Sequence, residues 1–318
     1  MITTLRNIRV LVTGISGFIG SHLARRLLQE GAEVHGLVRK SSDLWRIQDT
    51  KNQINLHYVD LRDFEPVRKE VHNIEPQKIF HLAAYVDVSR SFEVMNEMIE
   101  VNINGTLNLL RALDGTDYNC FINTGTCEEY GDNPVPFRED QIPNPVSPYS
   151  ASKVSTAMFC QMLHKTMGLP IITLRPFLAY GPMQESNMLI PSLIKKAINR
   201  EKFEMTEGEQ TREFNYVDDI VDGFIKASAT KKAIGEIVNI GNGKEYKIKD
   251  IVLKILNIMG NPIEPLIGAL PYREGETMHF YCDNTKATKL LGWNPKVTLD
   301  EGLEKTVNWY ITKFKDEK

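Results

Sequence analysis

Apolar and polar positions in the first half of the chain alternate between two rhythms. Ile8 to Thr13 is short, β-branched and mostly apolar, and Phe18 to Gln29 after it repeats its apolar residues at helical spacing. Glu33 to Val38, Asn55 to Asp60, Lys78 to Leu82, Tyr118 to Asn123 and Pro170 to Arg175 read as further strands. Asp63 to Asn73, Ser91 to Leu113 and Pro148 to Thr166 read as helices between them. Parallel strands need crossover connections, so strands alternating with helices imply a parallel sheet covered on both faces. The expected fold class is therefore α/β, a doubly wound parallel sheet.

After Arg175 the rhythm loosens, with a helix near Ile190 to Asn199 and a less regular C-terminal third rich in turn residues. Glu236 to Ile240 again has the pattern of a buried strand and is expected to return to the first sheet. This gives interleaved lobes: 1–175 plus about 215–245 for the first, and about 176–214 plus 246–318 for a smaller α/β lobe. The charged ending Lys313 to Lys318 reads as a solvated tail. A chain of 318 residues exceeds the size at which one core usually stops growing, which agrees with two lobes.

Charge and cysteine usage narrow the partners. With 38 Lys+Arg against 41 Asp+Glu and no long basic run, the chain lacks the footprint for nucleic acid or an anionic membrane. Cys120, Cys127, Cys160 and Cys282 are scattered with no Cys-x-x-Cys, so neither a disulfide framework nor a metal site is expected, and the reading is a reducing, cytoplasmic protein. Arg6 and Arg9 precede an apolar stretch, but Thr13, Gly14, Ser16, Gly17 and Gly20 break it, unlike a signal peptide. No segment approaches membrane-span length.

Gly14, Gly17 and Gly20 form Gly-x-x-Gly-x-x-Gly between the first strand and helix. That spacing lets the chain turn sharply and lets backbone and a helix N-terminus approach a pyrophosphate; a tight turn that needs glycine is the plainer alternative. The second strand ends in Val38-Arg39-Lys40-Ser41-Ser42, with no carboxylate to accept two ribose hydroxyls. Arg39 with a Ser41 or Ser42 hydroxyl suits a 2′-phosphate, which favours NADP over NAD, unless Arg39 and Lys40 are simply surface charges.

Ser147-Pro148 is a good helix start, and Tyr149 and Lys153 follow four apart on one helical face. An ammonium near a phenol stabilises the phenolate, so the tyrosine pKa is expected to fall towards working pH, where it exchanges a proton with a substrate hydroxyl. The pair also occurs by chance in many helices.

Together these residues resemble a family. Thr13-Gly14-Ile15-Ser16-Gly17-Phe18-Ile19-Gly20, His81-Leu82-Ala83-Ala84, Asn102-Ile103-Asn104-Gly105-Thr106 and Ser147-Pro148-Tyr149-Ser150-Ala151-Ser152-Lys153 are similar to the extended short-chain dehydrogenase/reductases that modify nucleotide-activated sugars. Leu174-Arg175-Pro176-Phe177, Tyr180-Gly181-Pro182, Thr211-Arg212-Glu213-Phe214, Tyr216-Val217-Asp218-Asp219 and Leu291-Gly292-Trp293 continue the likeness over nearly the whole chain. The resemblance implies a Rossmann-type sheet, an NADP or NAD cofactor, a nucleotide-diphosphate sugar substrate and a homodimer. It implies hydride transfer from sugar C4 while Tyr149 takes the hydroxyl proton, with Thr126 on the same oxygen. Gly14, Gly17, Phe18, Ile19, Gly20, Arg39, Asp60, Leu61, Ala83, Tyr149, Lys153 and Pro176 are then expected at the cofactor. Ser91, Asn187, Arg212 and Arg273 are expected at the substrate, two arginines suiting two phosphates.

The resemblance leaves the reaction open. Thr126-Cys127-Glu128 keeps the Glu that removes the C5 proton in 4,6-dehydratases, but Cys127 stands where an acid is often found. Arg39 and Ser91-Phe92-Glu93-Val94 resemble GDP-mannose 4,6-dehydratases, and Leu178 departs from the Asn common in 4-epimerases. The lean is to a 4,6-dehydratase, with a 4-keto-6-deoxyhexose reductase or a 4-epimerase as alternatives. A non-catalytic NADP-binding sensor is the reading from another class, opposed by the presence of Thr126, Tyr149 and Lys153 together.

Overall fold

The computed structural model describes residues 5–87, 89, 91–273 and 275–316. Its central sheet has seven parallel strands: β1 (Arg9–Thr13), β2 (Glu33–Val38), β3 (Asn55–Tyr58), β4 (Lys78–His81), β5 (Cys120–Thr124), β6 (Ile171–Pro176) and β7 (Ile237–Ile240). Their spatial order is β7-β6-β5-β4-β1-β2-β3. The strand at Glu236 to Ile240 thus returns to the sheet, as β7 beside β6. All five residues of β5 are buried, which is why it reads as a run rather than an alternation. The order reverses between β1 and β4, and such a switch point opens a crevice at the carboxyl ends of the strands.

One face of the sheet is covered by α1 (Phe18–Gln29) and α7 (Val217–Ala229), with Val10, Val12, Leu23, Leu27, Phe224 and Trp293 in that core. The other is covered by α2 (Phe64–Ile74), α4 (Gly105–Ala112) and α5 (Pro148–Met167), through Leu11, Val67, Val71, Leu109, Phe121 and Cys160. The sheet is therefore doubly wound. A second core joins α6 (Leu189–Asn199), α8 (Ile248–Ile258) and α9 (Leu299–Asp316) through Leu193, Ile251, Ile255, Leu303, Val307 and Tyr310. Among the described residues no helix is long and apolar enough to cross a membrane, and no group of His, Cys, Asp and Glu is placed to hold a metal ion. All four cysteines are buried and free.

Three sequence expectations need correction. The helix expected over 91–113 is α3 (Phe92–Met98), a wider π turn at Ile99–Asn104, and α4. The C-terminal third is more regular than its turn residues imply, since α7, α8 and α9 lie there. Nor is Lys313 to Asp316 a solvated tail: it closes α9, whose Leu303, Val307 and Tyr310 recur at helical spacing and are buried. Thr298 and Glu301 cap that helix reciprocally, Glu301 N–H donating to Thr298 Oγ1 and Thr298 N–H to the Glu301 carboxylate.

Trp293 locks the α7 side, fully buried, with its indole N–H donating to Asp219 O at 2.9 Å. Trp293→Ala should lower unfolding stability by about 3–5 kcal/mol through the cavity it leaves. A urea unfolding curve within about 1 kcal/mol of the wild type would show that this core does not depend on the indole.

Candidate active site

The glycine loop is shaped by what it touches. Gly14 has φ +70°, and a Cβ there would stand 2.7 Å from Ala83 N, so only glycine lets the turn after β1 lie against the chain leaving β4. A Cβ on Gly20 would overlap the Gly14 carbonyl oxygen. Helix α1 starts at Gly17 with no side-chain cap, leaving its first N–H groups and positive dipole end for an anion. Phe18 and Ile19, half-buried, open the helix, and Pro176 ends β6. This cradle fits a dinucleotide pyrophosphate.

At the tip of β2 Arg39 is exposed, and its backbone N–H donates to Ser42 Oγ at 3.0 Å. Asp60, beyond β3, is bound by Arg62 at 2.7 Å, which holds its carboxyl below the ordinary value, and Leu61 beside it is buried.

Below the crevice a buried chain of polar groups fixes the strand ends. Ala83 N–H donates to Thr13 Oγ1 at 3.2 Å, and Thr106 Oγ1 donates to Asn102 O at 2.5 Å. Those bonds assign the imidazole between them: Thr13 Oγ1 donates to His81 Nδ1 at 2.7 Å, and His81 Nε2–H donates to Thr106 Oγ1 at 2.8 Å. His81 is neutral, its pKa held down to about 3 by burial and then by nearby Lys153. Asn102, turned inward by the π turn, accepts from Tyr85 N–H at 2.7 Å and donates to Ser152 Oγ at 2.9 Å. It thereby ties the chain after β4 to α5. Sequence reading took Asn102, Thr106 and His81 only as family markers; the signal it passed over was polar residues at otherwise buried positions.

The segment after β5 is held by a second buried group that sequence reading missed. Glu129 is fully buried, accepts Thr126 N–H at 2.8 Å and pairs with Arg175 at 2.7 Å. Its carboxylate fills the space a side chain at Gly125 would need, so Gly125-Thr126 is pinned from below. Cys127 then turns into a cluster with Tyr130, Phe137, Phe177 and Cys282, where burial pushes its thiol well above the usual range. Glu128 points the other way, open to solvent along one edge yet crowded enough that burial raises its carboxyl pKa.

Ser147 caps α5 as its sequence implies, accepting Ser150 N–H at 3.1 Å, with Pro148 in the first turn. This aims Tyr149 at the same place. Its phenol interacts with the Thr126 hydroxyl and feels the Glu128 carboxylate. Lys153, buried one turn on, donates from Nζ to Thr124 O at 2.9 Å, with Nζ 6.0 Å from the Tyr149 ring centre. The structure thus brings Thr126, Glu128, Tyr149 and Lys153 together.

It also corrects one electrostatic expectation. Burial, then the Glu128 charge, pushes the Tyr149 phenol up rather than down, and burial lowers Lys153 itself to about 8. Desolvation outweighs the ammonium here. The Thr124 hydroxyl, buried beside Lys153, has no protein partner. An orphaned hydroxyl next to an ammonium also suits a polar ligand group such as a ribose.

The expected substrate residues are more dispersed. Ser91 caps α3, its Oγ accepting Val94 N–H at 3.2 Å. Asn187 and Arg273 are exposed. Arg212 is half-buried, paired with Glu276 at 2.5 Å and donating to Thr277 O at 2.8 Å. No contact among these residues draws Ser91, Asn187 or Arg273 to Tyr149.

Comparison with known proteins agrees with this architecture. Residues 11–306 match the family model described as GDP-mannose 4,6 dehydratase. The UDP-glucuronate 4-epimerase of Thermodesulfobacterium geofontis is 33% identical over 316 residues, covering 94% of this chain and 95% of that protein. The dTDP-glucose 4,6-dehydratase of Haemophilus influenzae is 30% identical over 331 residues, covering 95% and 97%. The structure of UDP-glucuronic acid 4-epimerase from Bacillus cereus, in complex with UDP-glucuronic acid and NAD, is 31% identical, superposes with a TM-score of 0.86 and covers 96% and 99%. The chain therefore belongs to the GDP-mannose 4,6-dehydratase family, within the extended short-chain dehydrogenase/reductases that act as nucleotide-sugar epimerases and dehydratases.

Proposed function

We propose that this enzyme oxidises C4 of a nucleotide-diphosphate hexose by hydride transfer, Tyr149 exchanging the C4 hydroxyl proton. The observation that carries the reading is the Tyr149 phenol set against the Thr126 hydroxyl and the Glu128 carboxyl, with Lys153 buried behind it. A bound nicotinamide dinucleotide supplies the hydride acceptor. The chain holds it with the Gly14-Gly17-Gly20 cradle, Lys153 and the Arg39 loop. Thr126 orients the sugar oxygen, and Lys153 favours the tyrosinate as the proton leaves.

Glu128 bears on the fate of the 4-keto sugar. Once C4 is a ketone the C5 proton is acidic, and a carboxylate beside Tyr149 is placed to remove it, which supports the dehydratase reading. A specific observation favours a second one, C4 epimerisation or 4-keto reduction. Cys127 is turned into aromatic packing, so no carboxylic acid directly after Thr126 protonates a hydroxyl leaving C6.

We also propose that the chain prefers NADP, from exposed Arg39 beside Ser42. It is further read as a homodimer formed through the neighbouring helices α3 and α5. Exposed Phe92, Met95 and Ile99 on the first and Met158, Phe159 and Met162 on the second support that face.

Tyr149→Phe should lower turnover about 10²–10⁴-fold, the usual contribution of a general acid–base group; a variant within about threefold of wild type would contradict the assignment. In D₂O, wild type should place deuterium at C5 and Glu128→Gln should not, whereas unlabelled C5 in sugars that turn over would leave the epimerase or reductase reading. Calorimetric titration should show tighter NADP than NAD, and Arg39→Ala should erase the difference; equal affinities in wild type would remove the argument. Sedimentation should give a dimer for wild type and a monomer for Met162→Glu, while a monomeric wild type would refute the interface.

A further inference from the structure

Arg46 is 6% exposed although it sits on the loop that leaves β2, in the short turn Trp45–Ile47. Its side chain reaches out of that loop to the segment leading into α6. Nε donates to Met183 O at 2.8 Å, and Nη2 to the Glu185 carboxylate at 2.6 Å. Its own carbonyl accepts from Arg25 Nη2 of α1 at 2.5 Å. Met183 has φ +65°, a left-handed conformation that a non-glycine residue keeps only when its neighbours impose it.

The carbonyls of this segment are held from three directions. Pro182 O accepts from His22 Nε2 of α1 at 2.9 Å, Met183 O from Arg46, and Gln184 O from Tyr310 of α9 at 2.7 Å. Arg46 alone among these three also grips a side chain, Glu185, whose carbonyl accepts Met188 N–H at the start of α6. Asn187 lies between them. Behind the loop, a cavity of about 510 Å³ is lined by Trp45, Met183, Trp309 and Lys313. The loop therefore does not pack continuously against α9, and the guanidinium is its firm connection to 183–187.

We propose that Arg46 is a positioning residue that couples the two ligand sites, so that dinucleotide and nucleotide sugar bind cooperatively. The inference rests on the reading that places Arg39 at the dinucleotide and Asn187 at the nucleotide diphosphate. Arg39 and Arg46 share one short loop, and Arg46 and Asn187 are joined through Met183 and Glu185. Whatever orders the loop orders the segment, and linkage makes the effect reciprocal.

The test is calorimetry with NADP⁺ and with UDP, GDP and dTDP, each alone and in the presence of the other ligand. Wild type should bind the preferred nucleoside diphosphate about 5–100-fold tighter when NADP⁺ is present, the usual range of such coupling, and NADP⁺ tighter by the same factor. Arg46→Ala should bring that factor to within about twofold of one while changing each single-ligand Kd less; Arg46→Lys, which keeps the charge but loses the fork, should restore part of it. Glu185→Gln removes one charge and leaves the Met183 bond, so it should reduce the factor even if Arg46→Ala does not fold. Absence of coupling in wild type, or coupling unchanged in Arg46→Ala or Glu185→Gln, would overturn the inference. Failure of every nucleoside diphosphate to bind would overturn the functional reading, and this inference with it.

Discussion

A buried polar atom must find a partner, and the reacting groups of this enzyme are held in place by that requirement. They gather at the carboxyl ends of β1, β4 and β5 and at the start of α5. There Thr13, His81, Thr106 and Asn102 satisfy one another in a single chain of hydrogen bonds. Asn102 extends it to Ser152 on the helix that carries Tyr149 and Lys153. Glu129 and Arg175 do the same for the segment bearing Thr126 and Glu128. Breaking either would leave an unpaired polar or charged group in a dry interior, at a cost of about 1–3 kcal/mol for a neutral group and about 3–5 for a charged one. The geometry is thus as rigid as the fold itself.

That rigidity sets the electrostatics. Burial pushes the Tyr149 phenol up and Lys153 down to about 8, and the Glu128 carboxylate adds to the first effect. The phenol is protonated in the protein alone. Proton removal from the sugar therefore depends on positive charge arriving at the site or on the Lys153 ammonium when it is charged, and proton return is the easier direction. Glu128, raised by burial but still reached by solvent, is the second group able to move a proton near the same atoms.

Much of this was legible in the sequence, for identifiable reasons. The glycine loop, the strands up to β6 and the start of α5 each carry a local signal: a φ requirement, a buried apolar run, or a Ser-Pro cap. Helix α9 was hidden by its charge, although Thr298 and Glu301 spell a reciprocal cap before its first turn. Helix α7 begins without a side-chain cap and carries Gly223 in its middle, packed on Ile240. The π turn and the Glu129–Arg175 pair were illegible for another reason: both depend on partners far along the chain. Family likeness supplied the names of the site residues, but only the structure shows Cys127 turned away from Glu128.

The central claim is hydride removal from sugar C4. The direct measurement uses UDP-, GDP- and dTDP-hexoses deuterated at C4 with oxidised dinucleotide, and then mass analysis of the dinucleotide after a single turnover. The account predicts deuterium on the reduced nicotinamide for a sugar that reacts, with the label lost from the sugar in the same proportion. A sugar that reacts while the dinucleotide stays unlabelled and oxidised throughout, and C4 keeps its deuterium, would contradict it.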